Sequence, residues 1–147
     1  MGWISQIERD KSQPSIDDLR DLAHVLNVPL SILFGQTSSG SEEEGYIVRK
    51  SARRVIGSNS SGLKEELLSP DLTDDFEVVY STFEPNSKLA KTQKRKTQEV
   101  GYVISGSLVL NINNKEFKVS EGDSFRIKGE AHSWANPFSK PLSLIHI

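Results

Sequence analysis

Apolar and polar residues alternate with period two through the second half of the chain. Leu108, Leu110 and Ile112 alternate with Val109, Asn111 and Asn113, and Phe117 and Val119 are separated by Lys118. Phe125 and Ile127 alternate with Arg126 and Lys128, and the run Leu142-Ser143-Leu144-Ile145-His146-Ile147 alternates again. Gly106, Asn113-Asn114-Lys115 and Glu121-Gly122-Asp123 interrupt the pattern at short intervals. Alternation broken by such turn residues predicts short antiparallel strands closed into a sandwich or barrel. Further strands are expected at Tyr46–Lys50, Arg53–Ile56, Leu63–Leu68 and Phe76–Phe83, separated by polar loops. In the last of these, Phe76, Val78, Tyr80 and Thr82 stand against Glu77, Val79, Ser81 and Phe83.

The first 36 residues follow a different period. Trp3-Ile4-Ser5-Gln6-Ile7-Glu8-Arg9 predicts a short helix, with Ile4 and Ile7 on one face. Asp10–Pro14 breaks it, because a proline disfavours helix at the residue before it. Ser15 then serves as N-cap with Asp18 at the third helical position, and Asp17 and Asp18 place negative charge at the positive helix end. Ile16, Leu19, Leu22, Ala23 and Leu26 form one apolar stripe, and Asn27 can take the left-handed conformation that ends the helix. Pro29 through Phe34 predicts one more short turn, closed by Gly35.

Residues 37–46 are small, polar and acidic, and predict a flexible linker. The organisation read from the chain is therefore a helical segment at 1–36, the linker at 37–46 and a β-barrel at 47–147. A hydrophobic share of 35% suffices for a modest core, and a net charge of −2 predicts no bulk attraction to nucleic acid or membrane. The absence of cysteine leaves no disulfide or thiolate chemistry and accords with a reducing cytoplasm. No apolar run approaches membrane-spanning length, so a soluble cytoplasmic protein is expected.

The stretch Glu99–Asn136 resembles the cupin family of jelly-roll barrels, whose first motif block reads G-x5-H-x-H-x3-E-x6-G. Glu99 and Gly106 keep the closing spacing, while Gln93 and Arg95 stand at the histidine positions and Ser87 at the leading glycine. In the second block Gly122-Asp123 and His132-x3-Asn136 match, with an interval one residue short and Lys128 at the usual proline. The resemblance implies a mainly β fold, a cupin jelly-roll barrel. Family barrels often hold a metal on three histidines and a glutamate. Here only Glu99 and His132 fall on ligand positions, and the permanently protonated Arg95 guanidinium cannot ligate. No metal and no cofactor are therefore expected.

Ile4-Ser5-Gln6-Ile7-Glu8-Arg9, Pro14-Ser15-Ile16, Leu19, Leu22-Ala23, Leu26, Val28 and Leu33-Phe34 resemble the xenobiotic-response-element (XRE), phage-repressor-like helix-turn-helix family. The likeness covers the end of the recognition helix and the two helices after it, so a partial, N-terminally truncated domain is expected. It implies DNA contacts from Trp3, Ser5, Gln6, Arg9 and Lys11, with DNA as partner only once the missing N-terminal helices are restored. The same segment carries Arg9, Lys11 and Arg20 against five acids, a composition equally suited to an amphipathic appendage.

Together the two likenesses imply a DNA-binding transcriptional regulator, acting as a homodimer, whose cupin domain senses a small-molecule effector. The basic run Lys88, Lys91, Lys94, Arg95 and Lys96 suggests an anion-holding rim, or else a solvated loop. Arg95, Glu99, Tyr102, His132 and Trp134 are the expected effector-binding residues, with an Arg95–Glu99 structural ion pair as another reading. With neither a nucleophile–base pair nor a full ligand set, no enzyme is expected. The competing reading is a metal-dependent cupin enzyme of the hydroxypropylphosphonate epoxidase type, with Glu99 and His132 as two of its ligands.

Overall fold

The structure is a computed structural model that describes residues 16–26, 42–56, 61–71 and 73–147. The chain divides into two units, one comprising Met1–Ser58 with Glu66–Glu77 and the other Asn59–Glu65 with Val78–Ile147.

In the first unit, helix α1 spans Ile16–Leu26, where the capping pattern and apolar spacing place it. Leu22 is half-buried, but Leu26, expected in the buried stripe, is 54% exposed in the helix's last turn. His24 lies on the exposed side. The expected strand at Tyr46–Lys50 is absent. Residues 42–46 instead make a turn, in which Tyr46 and Ile47 both donate backbone N–H groups to the Glu43 carbonyl. The Arg49 guanidinium hydrogen-bonds the Glu43 carboxylate, which holds that carboxyl below its ordinary range. A single 3-10 turn at Lys50–Ala52 follows, then strand β1 at Arg54–Ile56.

The second unit is mainly β. Its strands are β2 (Leu63–Leu67, of which 63–65 belong to this unit), β3 (Val79–Phe83), β4 (Ser87–Lys88), β5 (Gln98–Ser105), β6 (Ser107–Ile112), β7 (Lys115–Ser120), β8 (Ser124–Lys128), β9 (His132–Asn136) and β10 (Leu142–His146). One sheet runs β2-β3-β10-β5-β8 and the other β4-β9-β6-β7. The pairings resolved are antiparallel, as expected of short strands joined by tight turns. The strand expected from Phe76 begins only at Val79, and Phe76 is 53% exposed.

Turn chemistry sets the register. Asn113 and Asn114, at φ +51° and +63°, form a two-residue hairpin loop between paired Ile112 and Lys115. Two consecutive left-handed residues are what such a loop needs, and asparagine tolerates that conformation better than most. Gly106 turns β5 into β6 at φ +85°, where a Cβ would stand 2.7 Å from the Pro141 carbonyl oxygen.

The two sheets face one another over Phe83, Val103, Leu108, Leu110, Val119, Leu142 and Leu144, with Leu63, Ile112, Phe125 and Trp134 packed against them. Asn136, fully buried on β9, ties this apolar end together. Its amide nitrogen lies 3.2, 3.1 and 3.0 Å from the carbonyl oxygens of Phe83, Glu84 and Lys140, and its carbonyl accepts from the Phe138 N–H. β7 forms the outer edge of the smaller sheet, and the Lys118 ammonium lies 4.9 Å from the centre of the Phe138 ring.

Gly101 on β5 faces inward directly beneath the Phe125 ring, where a Cβ would stand 2.2 Å from the ring's far carbon. Gly101→Ala is expected to lower stability by about 1–3 kcal/mol, the usual range for overpacking. Adding Phe125→Leu should recover part of the loss. Thermal or urea unfolding of the two variants measures both effects.

Candidate functional site

Period-two geometry decides which side chains enter the sandwich. On β10, Leu142 and Leu144 are buried in the core, and His146 follows on the same face. On β3, Ser81 is buried between Val79 and Phe83, also on the inner face. On β5, Val103 and Gly101 are inward, and so is Glu99. On β2, Glu65 shares its face with Leu63 and buried Leu67. These four strands are successive neighbours in one sheet, so Glu65, Ser81, His146 and Glu99 form a polar row across its inner face.

The imidazole of His146 is the middle of that row. Its Nε2 lies 3.0 Å from Ser81 Oγ and 3.5 Å from a Glu65 carboxylate oxygen, and its Nδ1 lies 3.5 Å from a Glu99 carboxylate oxygen. The side chain of His146 is only 14% exposed, and those of Glu65 and Glu99 are 22% and 20% exposed. Arg95, at the outer end, places its guanidinium 3.9 Å from Glu99 and keeps 41% of its side chain in solvent. Groups this enclosed lose much of their hydration, so each requires a partner or a ligand.

The segment Gln93–Glu99 carries the site from one sheet to the other. Gln93 and His132 exchange backbone hydrogen bonds of 2.8 Å in both directions, which anchors the segment to β9. His132 is buried, and its Nδ1 lies 3.0 Å from the Glu130 carbonyl oxygen, leaving Nε2 as the other ring position. His132 and Asn136 occupy opposite ends of β9, so the histidine lies away from the amide-sealed end.

Of the five residues expected to bind an effector, the structure joins Arg95 to Glu99 and ties His132 to their segment. Trp134 is inward but packs edge-on against Phe83 at 4.6 Å between ring centres, as part of the core. Tyr102 points the other way. It is 52% exposed, on the face of β5 opposite Glu99, because residues three apart along a strand fall on opposite faces. His146, which the sequence shows only as part of an alternating run, has three partners in Ser81, Glu65 and Glu99. The strand parity of Leu142 and Leu144 was the signal that places it inside. Glu65 and Ser81 were likewise unsuspected. The expected DNA contacts Trp3, Ser5, Gln6, Arg9 and Lys11 lie outside the described residues.

The residues at the family's metal positions do not fit a metal. Gln93 and Arg95 replace two imidazoles, the guanidinium cannot ligate, and Glu99 faces Arg95 and His146. Among the described residues, no three His, Cys, Asp or Glu side chains are grouped to hold a metal ion. The row can donate and accept hydrogen bonds through one imidazole, one hydroxyl and two carboxylates, with carboxylates in excess.

Comparison with known proteins accords with this architecture. The cupin domain family matches residues 79–147, and the helix-turn-helix family matches residues 4–33. The HTH-type transcriptional regulator PuuR of Escherichia coli (strain K12) is 29% identical over 137 residues, which make up 90% of this chain and 71% of that protein. The cupin domain of an XRE-family transcriptional regulator from Enterobacter cloacae superposes with a TM-score of 0.51 at 23% identity, covering 58% of this chain and 93% of that one. The polyketide cyclase RemF from Streptomyces resistomycificus shares the fold at a TM-score of 0.58 and 19% identity, over 67% of this chain and 75% of its own.

Removing the imidazole tests the coupling of the row. His146→Leu leaves two carboxylates without the group between them and should cost about 1–3 kcal/mol in stability. Glu65→Gln in the His146→Leu background removes one of those charges and should restore part of the loss. A double-mutant cycle by chemical denaturation reads the coupling; strictly additive losses would show that the row is not one unit.

Proposed function

We propose, for a chain that is a helix-turn-helix transcriptional regulator of the XRE type with a cupin domain, that the polar row inside the β unit is the effector site. The observation that carries this reading is the placement of Glu65, Ser81, His146 and Glu99 on the inner face of a sheet whose remaining inner residues are apolar. An all-apolar lining would fold at least as well, since well-packed apolar residues can replace a buried ion pair without loss of stability. A row that stability does not require, and that presents unspent hydrogen-bonding capacity, is suited to recognising a small polar molecule.

The balance of charge narrows the chemistry. Two carboxylates face one guanidinium and one imidazole, so the row favours a ligand rich in donors, an amine or a polyol, over a simple anion. Arg95, half in solvent, is positioned to take an acidic group on the same ligand. His132 contributes the group on the facing sheet. No catalytic role is assigned to the row, and Gln93 and Arg95 do not fit the family metal positions.

The regulator acts as a homodimer in the cytoplasm, and among the described residues no helix is long and apolar enough to cross a membrane. Val100, Tyr102 and Ile147, exposed on the outer face of the larger sheet, offer an apolar surface for self-association. Effector binding shifts the protein between states of different DNA affinity, and can do so only as far as its affinities for those states differ.

Thermal unfolding against a panel of small amines, polyols and sugar acids tests the reading. A ligand at about one hundred times its dissociation constant should stabilise the protein by roughly 2.7 kcal/mol. Glu99→Gln should abolish that shift, while Tyr102→Ala should leave it intact. A panel without effect at millimolar concentration, or a shift that survives Glu99→Gln, would overturn the assignment.

A further inference from the structure

Charge is divided unevenly between the two units. Residues 59–65 and 78–147 carry eleven Lys and Arg against seven Asp and Glu, a net charge of +4. Because the whole chain is −2, the remainder, which includes the helix-turn-helix match, is −6. A DNA-binding regulator thus has its excess positive charge on the β unit and not on the unit that holds the recognition string.

That charge is also gathered in space. Lys94, Arg95 and Lys96 are exposed on the segment leading into β5. The backbone of this segment passes beside the turn after β8, where a Cβ built on Gly129 would lie 3.4 Å from the Arg95 carbonyl oxygen. On β8, Lys128 is paired with Gln98 and Arg126 with Val100, and both basic side chains are exposed. Two segments some thirty residues apart in sequence therefore bring the exposed residues Lys94, Lys96, Arg126 and Lys128 to the β8 edge of the sheet, next to Arg95, whose guanidinium turns toward Glu99. Two carboxylates moderate the patch. Glu99 faces Arg95. Glu130 accepts backbone hydrogen bonds from its own N–H and from that of Lys128, and with the nearby charges of Arg126 and Lys128 these hold its carboxyl below the ordinary range.

We infer that this basic side of the β unit contacts the phosphate backbone of duplex DNA. The cupin unit then supplies sequence-independent affinity, while the helix-turn-helix supplies sequence readout. Lysines on an exposed segment suit phosphates, which they hold as point charges without fixed geometry. The inference rests on the chain's being a DNA-binding regulator and is independent of the effector assignment.

The test uses the full chain and a fluorescent duplex of arbitrary sequence, with anisotropy measured over a range of salt concentrations. Each phosphate contact contributes about 0.9 to the slope of log affinity against log salt. The triple variant Lys94→Gln, Lys96→Gln, Lys128→Gln should lower that slope by roughly two to three units, and low-salt affinity by on the order of tenfold. The control Lys115→Gln, Lys118→Gln, Lys140→Gln removes the same charge from elsewhere on the β unit and should change the slope far less. Equal losses in the two triples would assign the effect to bulk charge and overturn the inference, as would an unchanged slope. Polyglutamate displacing the duplex at equal charge concentration would also overturn it, in favour of an acidic protein partner. A chain that binds no duplex at low salt overturns it too, and leaves the effector assignment to the melting experiment.

Discussion

Placing carboxylates inside a β-sandwich is the constraint from which the rest of the site follows. Glu65 and Glu99 lie on strands separated by β3 and β10, and the imidazole of His146 reaches both from the strand between. Without an intervening donor, two partly desolvated anions would face each other across a low-dielectric interior, where repulsion is far stronger than in water. The imidazole bridges them and hands its other contact to Ser81. Position on β10 is what makes this possible, since a central strand reaches neighbours on both sides. The polar row is thus a property of strand order as much as of residue type.

The opposite end of the sandwich is made rigid, and the difference between the two ends defines what each can do. Asn136 satisfies three carbonyl groups from two separate segments, and Trp134 braces Phe83 at a near-perpendicular angle. Between the two ends, Phe125 occupies the space that Gly101 leaves by lacking a side chain. The interior passes from sealed, to filled, to polar along the same strands. The Phe125 ring therefore forms an aromatic floor between the polar row and the sealed end.

Local chemistry made much of the fold legible in the sequence. Asn113-Asn114 demanded a hairpin because few other pairs tolerate two left-handed residues, and the helix Ile16–Leu26 carried its own start signals. Gly106 marked a turn that no side chain could enter. The short apolar stretch Tyr46–Lys50 was misread because alternation over so few residues does not distinguish a strand from an extended connector. The site was less legible for a different reason. Arg95 and Glu99 are near neighbours in sequence, so their association was visible, whereas Glu65, Ser81 and His146 meet only through strand pairings between distant segments. Strand parity puts Tyr102 on the face of β5 opposite Glu99. The inward face that carries Glu99 and an outward aromatic on the same strand cannot share a pocket, however close they stand in the chain.

The outer edge of the smaller sheet has a consequence for behaviour at high concentration. Among the described residues no strand pairs with the outer side of β7, and Phe117 is 49% exposed there, a combination that invites strand addition by a neighbouring molecule and, with repetition, fibrils. Lys115, Glu116 and Lys118 break that template. Their charges would have to be stacked against like charges in any in-register assembly, and Lys118 is further held over the Phe138 ring. The edge is guarded by electrostatic repulsion, which gives the molecule colloidal stability without covering the strand.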